Sequence, residues 1–467
     1  MANSLKKGIV YVFIANIINL IFNLITNFVL PKELSVENYA MIKTFQLYVS
    51  YAGLFHFGFV DGMYIKYGGK AIEEINKYDL KTNLNTLRIF QIIITIIFLS
   101  FSLFTKDISL ICFAISILPL NLANYFKQLY QATGEFSLYG KIMNLNTALI
   151  FFANMMWIFI FKIDNGVYFL ISNLVVYIGI WIVLEINCNK AVGKEIKARL
   201  FSYKELCNNI KAGILLTIGN LSSIILTSMD RWFVKVLLDT VAFAQYSFAV
   251  SMENFMNTAV TPVTITLYNY FCKVKDVKKI IKVRNYIMIF ACFIVSCAFP
   301  ARFILEVYLN KYIESSNVMF LLFASQIFYI IIKSIFVNLY KAQKKQKVYF
   351  LKLSLVIVVG FLFNVICFRI ISVKESFAVG TLLSAICWYF LSIPDFGWIK
   401  YSIKEFLYPF VEMIVFILCG FKLNSILGFI IYILITIIVT YIMLSDEFAY
   451  IFSYVSKIIK KNKRKPQ

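Results

Sequence analysis

Four asparagines recur along an apolar segment near the start of the chain, at Asn16, Asn19, Asn23 and Asn27. On a helix that turns about 100° per residue, this spacing places the four amides within a sector of roughly 80°. An unpaired amide that faces lipid is costly, so the stripe must face protein or water. It could join helices by hydrogen bonds, or it could form the wall of a polar cavity.

A matching stripe occurs 204 residues later in the chain. The equivalent positions are Asn220, Ser223, Thr227 and Arg231, all polar in a segment dominated by isoleucine and leucine. Two equivalent helices with matched polar stripes favour a central cavity between two halves of the protein.

Ionisable side chains inside apolar segments are a second signal, because they are costly within a membrane and usually functional. The set comprises Lys43, Asp61, Asp230, Glu253 and Lys333. Glu253 lies too deep for a short carboxylate to reach water, which favours a position in the cavity. The alternatives are that Lys43 snorkels to the outer surface, that Asp61 is interfacial, and that Asp230 pairs locally with Arg231.

Other reactive residue types point to structure rather than to catalysis. Arg302 and Glu306 are spaced i and i+4, which predicts a pair that neutralises itself. Glu412 has no evident role. The single histidine, His56, sits in an apolar run, and the nine cysteines show no zinc spacing. We therefore expect no metal site, no His-based catalytic triad and no cofactor.

The elements that carry these residues are predicted to be membrane helices. The chain of 467 residues is 61% hydrophobic and only 15% charged, whereas soluble domains carry about 25% charged residues. Each span needs about 20 residues, and several apolar runs lack the polar alternation of barrel strands. The sequence thus predicts an all-α polytopic membrane protein with about fourteen transmembrane helices.

The predicted spans lie near residues 8–30, 40–61, 86–104, 108–127, 142–161, 166–186, 212–231, 240–270, 286–309, 317–339, 350–370, 376–393, 407–421 and 424–444. Twelve spans with one wrongly divided pair is the alternative. The predicted division is an N-terminal six-helix bundle over 1–205, a C-terminal one over 206–399, and two extra helices with a basic tail over 400–467.

Basic residues predict the orientation of the spans. With both termini in the cytoplasm, most of the 46 Lys and Arg residues fall in inner segments, and every inner loop carries more of them than its outer neighbours. The net charge of +22 therefore follows the topology and does not indicate nucleic-acid binding. The tail 457–465 is expected to be an ordinary cytoplasmic tail, or else a patch for anionic lipid.

Two pairs of similar segments, here called the first and second echo, indicate an internal repeat. The segment 34–40 resembles 238–244 at an offset of 204, and Leu129-Tyr130-Gln131-Ala132 resembles Leu339-Tyr340-Lys341-Ala342 at an offset of 210. Nearly equal offsets in the same order predict two related halves of six helices. Because six is even, both halves have the same orientation in the membrane.

The chain resembles the polysaccharide-transporter flippases of the MATE-like multidrug/oligosaccharidyl-lipid/polysaccharide exporter superfamily. The resemblance rests on the opening helix with Leu34–Ala40, on Gly58-Phe59, on Met229-Asp230-Arg231 with Ala244–Ala249, and on the turns Ala132-Thr133-Gly134 and Ala342-Gln343-Lys344. Each motif is short, and their order and spacing across most of the chain carry the resemblance.

The resemblance implies a bacterial cytoplasmic-membrane flippase, not an enzyme. Its substrate would be undecaprenyl pyrophosphate bearing a short glycan, an O-antigen or capsule repeat unit, moved by alternating access. The predicted residues suit this: Asn, Ser and Thr could bind sugar hydroxyls, and Lys43, Arg231 and Lys333 could attract the pyrophosphate. Membrane lipids, a polymerase and other glycan-assembly proteins would be partners.

Two rival functions remain open. A MATE-type, ion-coupled exporter of small cationic compounds has the same architecture but favours acidic and aromatic cavity residues. A polymerase or ligase usually has a large outer loop, which this sequence lacks. The acidic residues Asp61, Asp230 and Glu253 are not needed for an anionic ligand, so we expect them to titrate or to bind a coupling cation.

Overall fold

The computed structural model describes the backbone of residues 2–192, 198–274 and 276–462. Side chains are described from residue 17 to 453, apart from those of 136–137, 139, 143, 189–197, 259, 265, 269 and 275. Asn16 and the basic tail 457–465 therefore fall outside the described side chains. Over the described residues the chain is helical and has no β-strand, which confirms the predicted all-α class.

The chain forms two compact units, residues 1–228 and 229–467, and the boundary falls inside one long helix. The helices of the first unit are α1 (Ala2–Glu33), α2 (Val36–Val49), α3 (Phe59–Tyr67), α4 (Lys77–Thr105), α5 (Ile108–Ala132), α6 (Phe136–Met155), α7 (Gly166–Val192) and the first part of α8 (Tyr203–Leu237). Its core lies among α3, α4, α5 and α7.

The second unit contains the end of α8 and ten more helices. These are α9 (Thr240–Lys273), α10 (Val277–Ile294), α11 (Ala298–Tyr308), α12 (Ser316–Ile331), α13 (Val337–Ala342), α14 (Gln346–Ile370), α15 (Glu375–Ser392), α16 (Ile403–Lys422), α17 (Ser425–Met443) and α18 (Ser445–Asn462). Helix α12 is buried along almost its whole length and packs against α9, α10, α15 and α16. It is therefore the central helix of this unit.

Ten helical segments among the described residues are long and apolar enough to cross a membrane. They coincide with ten of the predicted spans, and the protein is a multi-pass membrane protein. The remaining four predicted spans fall on α1, on α2 and α3, on α9 and on α16.

The prediction of one continuous helix over 40–61 was wrong. Helix α2 ends at Val49, a 3₁₀ turn covers Ala52–His56, and α3 starts at Phe59. Between the two helices Phe57 and Gly58 have φ of 49° and 92°, in the left-handed region that ends helices. At Gly58 a Cβ atom would also lie 2.6 Å from the backbone nitrogen of Ile214, so only glycine fits.

Helices α3 and α8 touch through glycines. A Cβ at Gly62 would lie 2.0 Å from the carbonyl oxygen of Asn209, and a Cβ at Gly213 would lie 2.1 Å from that of Gly58. Such small residues let two backbones approach closely in a membrane.

We expect Gly213→Ala to destabilise the first unit by about 1–3 kcal/mol, because the added methyl group overlaps the backbone of the broken span. The measurement is the thermal midpoint of the detergent-solubilised protein. Gly219→Ala is the matched control on the same helix, since nothing lies within 4 Å of a Cβ there. Equal midpoints for the two variants would contradict the proposed close packing.

The two helices that begin at the first echo, α2 and α9, have equivalent hydrogen bonds at their N-termini. Ser35 caps α2 by accepting a bond from the backbone N–H of Asn38, and Asp239 caps α9 by accepting one from Ala242. Both caps lie at the offset of 204 residues, and both satisfy N–H groups that a helix start leaves free.

The helix ends at the second echo also match. The N–H of Glu135 donates to the carbonyl of Tyr130 over 2.8 Å, and the N–H of Lys345 donates to that of Tyr340 over 2.8 Å. The residue before each donor has a positive φ, as expected for helices that end in a left-handed residue. The recurrence of caps and ends supports a structural repeat between the two units.

The C-terminal helices are anchored to the second unit by a cluster around Arg284, whose side chain is fully buried. Arg284 lies 3.0 Å from Glu405 and 3.8 Å from the ring centroid of Tyr401. Asn285 donates to Glu405 over 2.7 Å and to Glu447 over 2.9 Å. The cluster joins α10, α16 and α18, and α18 lies in the segment predicted to be a tail.

Candidate functional site

The first candidate centre lies in the second unit, around Asp230 near the end of α8. Its carboxylate is 5% exposed and accepts hydrogen bonds from the Tyr246 hydroxyl at 2.7 Å and the Thr381 hydroxyl at 3.4 Å. Its contact with Arg231 uses the backbone N–H, at 2.8 Å. Buried charges in proteins need such partners, and helices α9 and α15 supply them here.

Glu253 and Lys333 bring opposite charges into the same unit. Glu253, on α9, accepts a hydrogen bond from the side-chain amide of Gln326 on α12. Lys333 lies in a π-helical turn, Ile332–Phe336, between α12 and α13, with its ammonium 5.4 Å from the ring centroid of Tyr329. Single π turns inside helices frequently occur at functional sites.

Arg231 is half-buried, and among the described side chains its Nε atom has no hydrogen-bond partner. A buried donor without a partner is rare and calls for an explanation, of which a missing ligand is one. The guanidinium group can donate two parallel bonds to a phosphate.

In the first unit, Lys43 does not snorkel to a surface. Its side chain is 7% exposed, and its ammonium donates to the amide oxygens of Asn27 at 2.7 Å and Gln46 at 3.2 Å. Asn27 in turn donates to the carbonyl of Asn23 at 2.8 Å. Asn27, a member of the predicted stripe on α1, therefore binds Lys43, the predicted cation on α2.

The other stripe residues divide into two groups. Asn19 is half-buried, and its Oδ1 has no partner among the described atoms. The exposed members are Asn23, Asn220, Ser223 and Thr227. The Thr227 hydroxyl donates to the carbonyl of Ser223 at 3.0 Å, as hydroxyls in apolar helices commonly do. The placement of the stripes in one cavity stays a prediction.

Asp61 is the centre of a second polar group in the first unit. It is 3% exposed and accepts hydrogen bonds from the Thr217 hydroxyl and, at 3.3 Å, from the amide of Gln128. Helices α5 and α8 therefore enclose the side chain of Asp61.

Sequence reasoning missed several partners of these charges, namely Tyr246, Gln326, Thr381, Gln128 and Thr217. Two of them had a signal. Thr217 lies three residues before Asn220 of the stripe on α8, and amides recur on α5 at Asn121, Asn124 and Gln128 with helical spacing, where Asn121 donates to Gln91 over 2.8 Å. Tyr246, Gln326 and Thr381 carry no periodic pattern.

The predicted pair of Arg302 and Glu306 is confirmed, with 2.9 Å between Nε and Oε1. Arg302 also donates to the carbonyls of Gly420 and Leu423, so it binds carbonyls at the end of α16. Glu412, for which the sequence indicated no role, is fully buried and accepts from the hydroxyl of Thr436 on α17 at 2.8 Å.

We expect Glu412→Met to leave the thermal stability unchanged or to raise it. The second carboxyl oxygen of Glu412 has no partner among the described atoms, so hydrogen bonds offset only part of the free-energy cost of burying this group. Apolar residues of similar volume often replace buried polar groups without loss. The measurement is the thermal midpoint in detergent, and a fall of several degrees would contradict the expectation.

No protein-family model matches the chain, and no curated protein matches it. Solved structures do. The lipid II flippase MurJ in an inward closed conformation aligns with 96% of this chain and 100% of its own, at a TM-score of 0.61 and 15% identity. An inward-facing multidrug resistance MATE family transporter of the MOP superfamily aligns with 83% of this chain and 99% of its own, at 0.49 and 14% identity.

An outward-facing multidrug resistance MATE family transporter of the MOP superfamily aligns at a TM-score of 0.44 and 14% identity, over 88% of this chain and 96% of its own. Because the alignment with MurJ covers 96% of this chain, it includes most of both units. The chain therefore has the fold of the lipid II flippase MurJ.

Proposed function

We propose that this protein is a flippase that moves undecaprenyl-pyrophosphate-linked oligosaccharide units from the cytoplasmic to the outer face of a bacterial cytoplasmic membrane. The observation that carries the proposal is the likeness in fold to a lipid II flippase over 96% of this chain and the whole of the other. The proposed mechanism is alternating access.

Three cations on different helices suit a pyrophosphate group. Arg231 has an Nε without a described partner, Lys333 lies in the π turn, and Lys43 donates to the amide oxygens of Asn27 and Gln46. Charge-assisted bonds to phosphate are about twice as strong as neutral ones. The amides and hydroxyls of α1 and α8 would bind the glycan.

The buried acids would serve the driving reaction. Asp61, Asp230 and Glu253 each have hydroxyl or amide partners and lie within membrane helices, where ionisable groups commonly mark ion pathways. We infer that transport is coupled to a cation or a proton through one or more of them. Transport in vesicles that ignored both proton and sodium gradients would refute this.

The decisive experiment follows the lipid-linked glycan in cells that lack the protein. We expect the glycan to remain on the cytoplasmic face, where a membrane-impermeant glycosidase or lectin added to intact spheroplasts does not reach it. Inverted vesicles supply the control, since they expose that face. Glycan on the outer face at the wild-type level in deletion cells would refute the proposal.

A MATE-type exporter of small cationic compounds is the alternative. The observation in its favour is that Asp230 and Glu253, both acidic, lie in one unit with a nearby buried tyrosine, Tyr246. Cells lacking the protein would then become sensitive to cationic dyes while their lipid-linked glycan crossed normally.

We further propose that the protein is not an enzyme, that both termini are cytoplasmic, and that a polymerase is its partner. Reporter fusions at each terminus would test the orientation.

A further inference from the structure

The break in the second predicted span is expected to lie within the membrane. Helix α2 has 14 residues before the break, which at 1.5 Å per residue is about 21 Å of a hydrocarbon core about 30 Å thick. Broken helices at this depth are tolerated only where protein or water satisfies the freed backbone groups. Here one of those groups is satisfied by a histidine.

His56, the only histidine of the chain, ends the 3₁₀ turn and is 2% exposed. Its Nδ1 atom accepts a hydrogen bond from the backbone N–H of Gly58 at 3.1 Å. A ring nitrogen that accepts a bond carries no proton, so the imidazole is neutral with its hydrogen on Nε2. The turn is therefore closed by one specific protonation state of His56.

Asp61 lies five residues later, on the first turn of α3, close enough for its charge to act on His56. Its partners are hydrogen-bond donors, the Thr217 hydroxyl and the Gln128 amide. Among the described residues no group of three His, Cys, Asp or Glu side chains could hold a metal ion.

The helices packed around the turn contribute few other charges. On α4 the charged residue nearest this level is Arg88, which is paired with Glu185 on α7. Lys127 on α5 is half-buried and precedes Gln128, and α8 contributes Thr217, which is uncharged. Gln91 of α4 donates to the carbonyl of Phe55 at 3.0 Å and so supports the turn without charge.

We propose that His56 and Asp61 together form a proton-binding site built into the break of the second span. When the site takes up a proton, Nδ1 of His56 becomes an N–H donor and can no longer accept the bond from Gly58. The imidazolium and the Asp61 carboxylate then form a pair with no net charge, which is less costly within a membrane than a lone carboxylate.

Proton binding and the closed turn therefore exclude each other. Uptake of a proton frees the N–H of Gly58, whose backbone packs on Gly213 of α8, so the change reaches a helix that continues into the second unit. The site itself stands on the geometry of the first unit. Its use in driving transport rests on the proposed function.

The test uses the single histidine. Protein purified with a histidine-free tag, labelled with ¹⁵N-histidine and placed in nanodiscs, gives one imidazole to follow by NMR. We expect the Nε2–H tautomer at high pH, uptake of a proton by the ring as the pH falls, and a lower midpoint in Asp61→Asn than in the wild type, because the aspartate charge favours the imidazolium. Glu73→Gln, which removes an exposed acid of the same unit, is the matched control and should leave the midpoint in place.

A ring that stays neutral throughout, or a midpoint equal in wild type and Asp61→Asn, overturns the proposal. The first outcome needs no variant, so misfolding of Asp61→Asn leaves the test intact. In proteoliposomes, His56→Gln should abolish the response of transport to a proton gradient while downhill transport continues. A titrating histidine in a protein that moves no lipid-linked glycan would refute the proposed function and leave the proton site standing.

Discussion

Arg231→Ala is expected to lower export of the lipid-linked glycan by about 10- to 150-fold, which corresponds to the 1.5–3 kcal/mol typical of a hydrogen bond to a charged group. The reason is that Arg231 offers a half-buried guanidinium group whose Nε has no described protein partner. The measurement is the rate at which glycan reaches the outer face, normalised to the amount of protein in the membrane.

Two controls make this expectation specific. Arg369→Ala removes an exposed cation from α14 of the same unit and should keep the wild-type rate. Arg231→Lys retains the charge but not the planar fork, and should restore part of the rate. If Arg231→Ala exported glycan at the wild-type rate with a normal amount of protein in the membrane, Arg231 would not be part of the substrate site.

The largest effect on stability is expected from Arg284→Ala. It leaves the carboxylates of Glu405 and Glu447, which share Asn285, without the buried cation that lies 3.0 Å from Glu405. Removing one partner of a buried ion pair costs about 3–5 kcal/mol. We expect the apparent melting temperature in detergent to fall by about 10 °C, measured at a constant scan rate because unfolding of such proteins is irreversible.

Lys400→Ala is the matched control for this cluster. It removes a positive charge from the segment before α16 but keeps the backbone carbonyl to which Arg284 donates at 2.9 Å. Its melting temperature should stay near that of the wild type. If Arg284→Ala and Lys400→Ala had the same melting temperature, the cluster would contribute nothing to the anchoring of α16 and α18.

The charged members of both candidate centres could be found from the sequence, because an ionisable residue inside an apolar run is conspicuous by itself. Asp61, Asp230 and Glu253 were identified in this way, and all three have hydrogen-bond partners within their own units. The partners Tyr246, Gln326 and Thr381 could not be found, because a single polar residue on an apolar helix resembles any other residue that packs there.

The sequence by itself determined the all-helical class, ten of the membrane helices, the two echoes and the pair of Arg302 and Glu306. These features depend on composition and on spacings of a few residues, which hydrophobicity and helical periodicity express locally. The echoes recur as matching caps and helix ends because a cap requires only the residues beside it.

Only the tertiary structure decided that the second span is broken and that Arg284 joins three helices. The run 40–61 is long and apolar enough for a continuous helix, and the break depends on Gly58 meeting the backbone of α8 more than 150 residues later. The contact of Asn285 with Glu447 likewise joins residues 162 positions apart. Such choices are made by packing and by the need of buried charges for partners, and both arise only when distant segments meet.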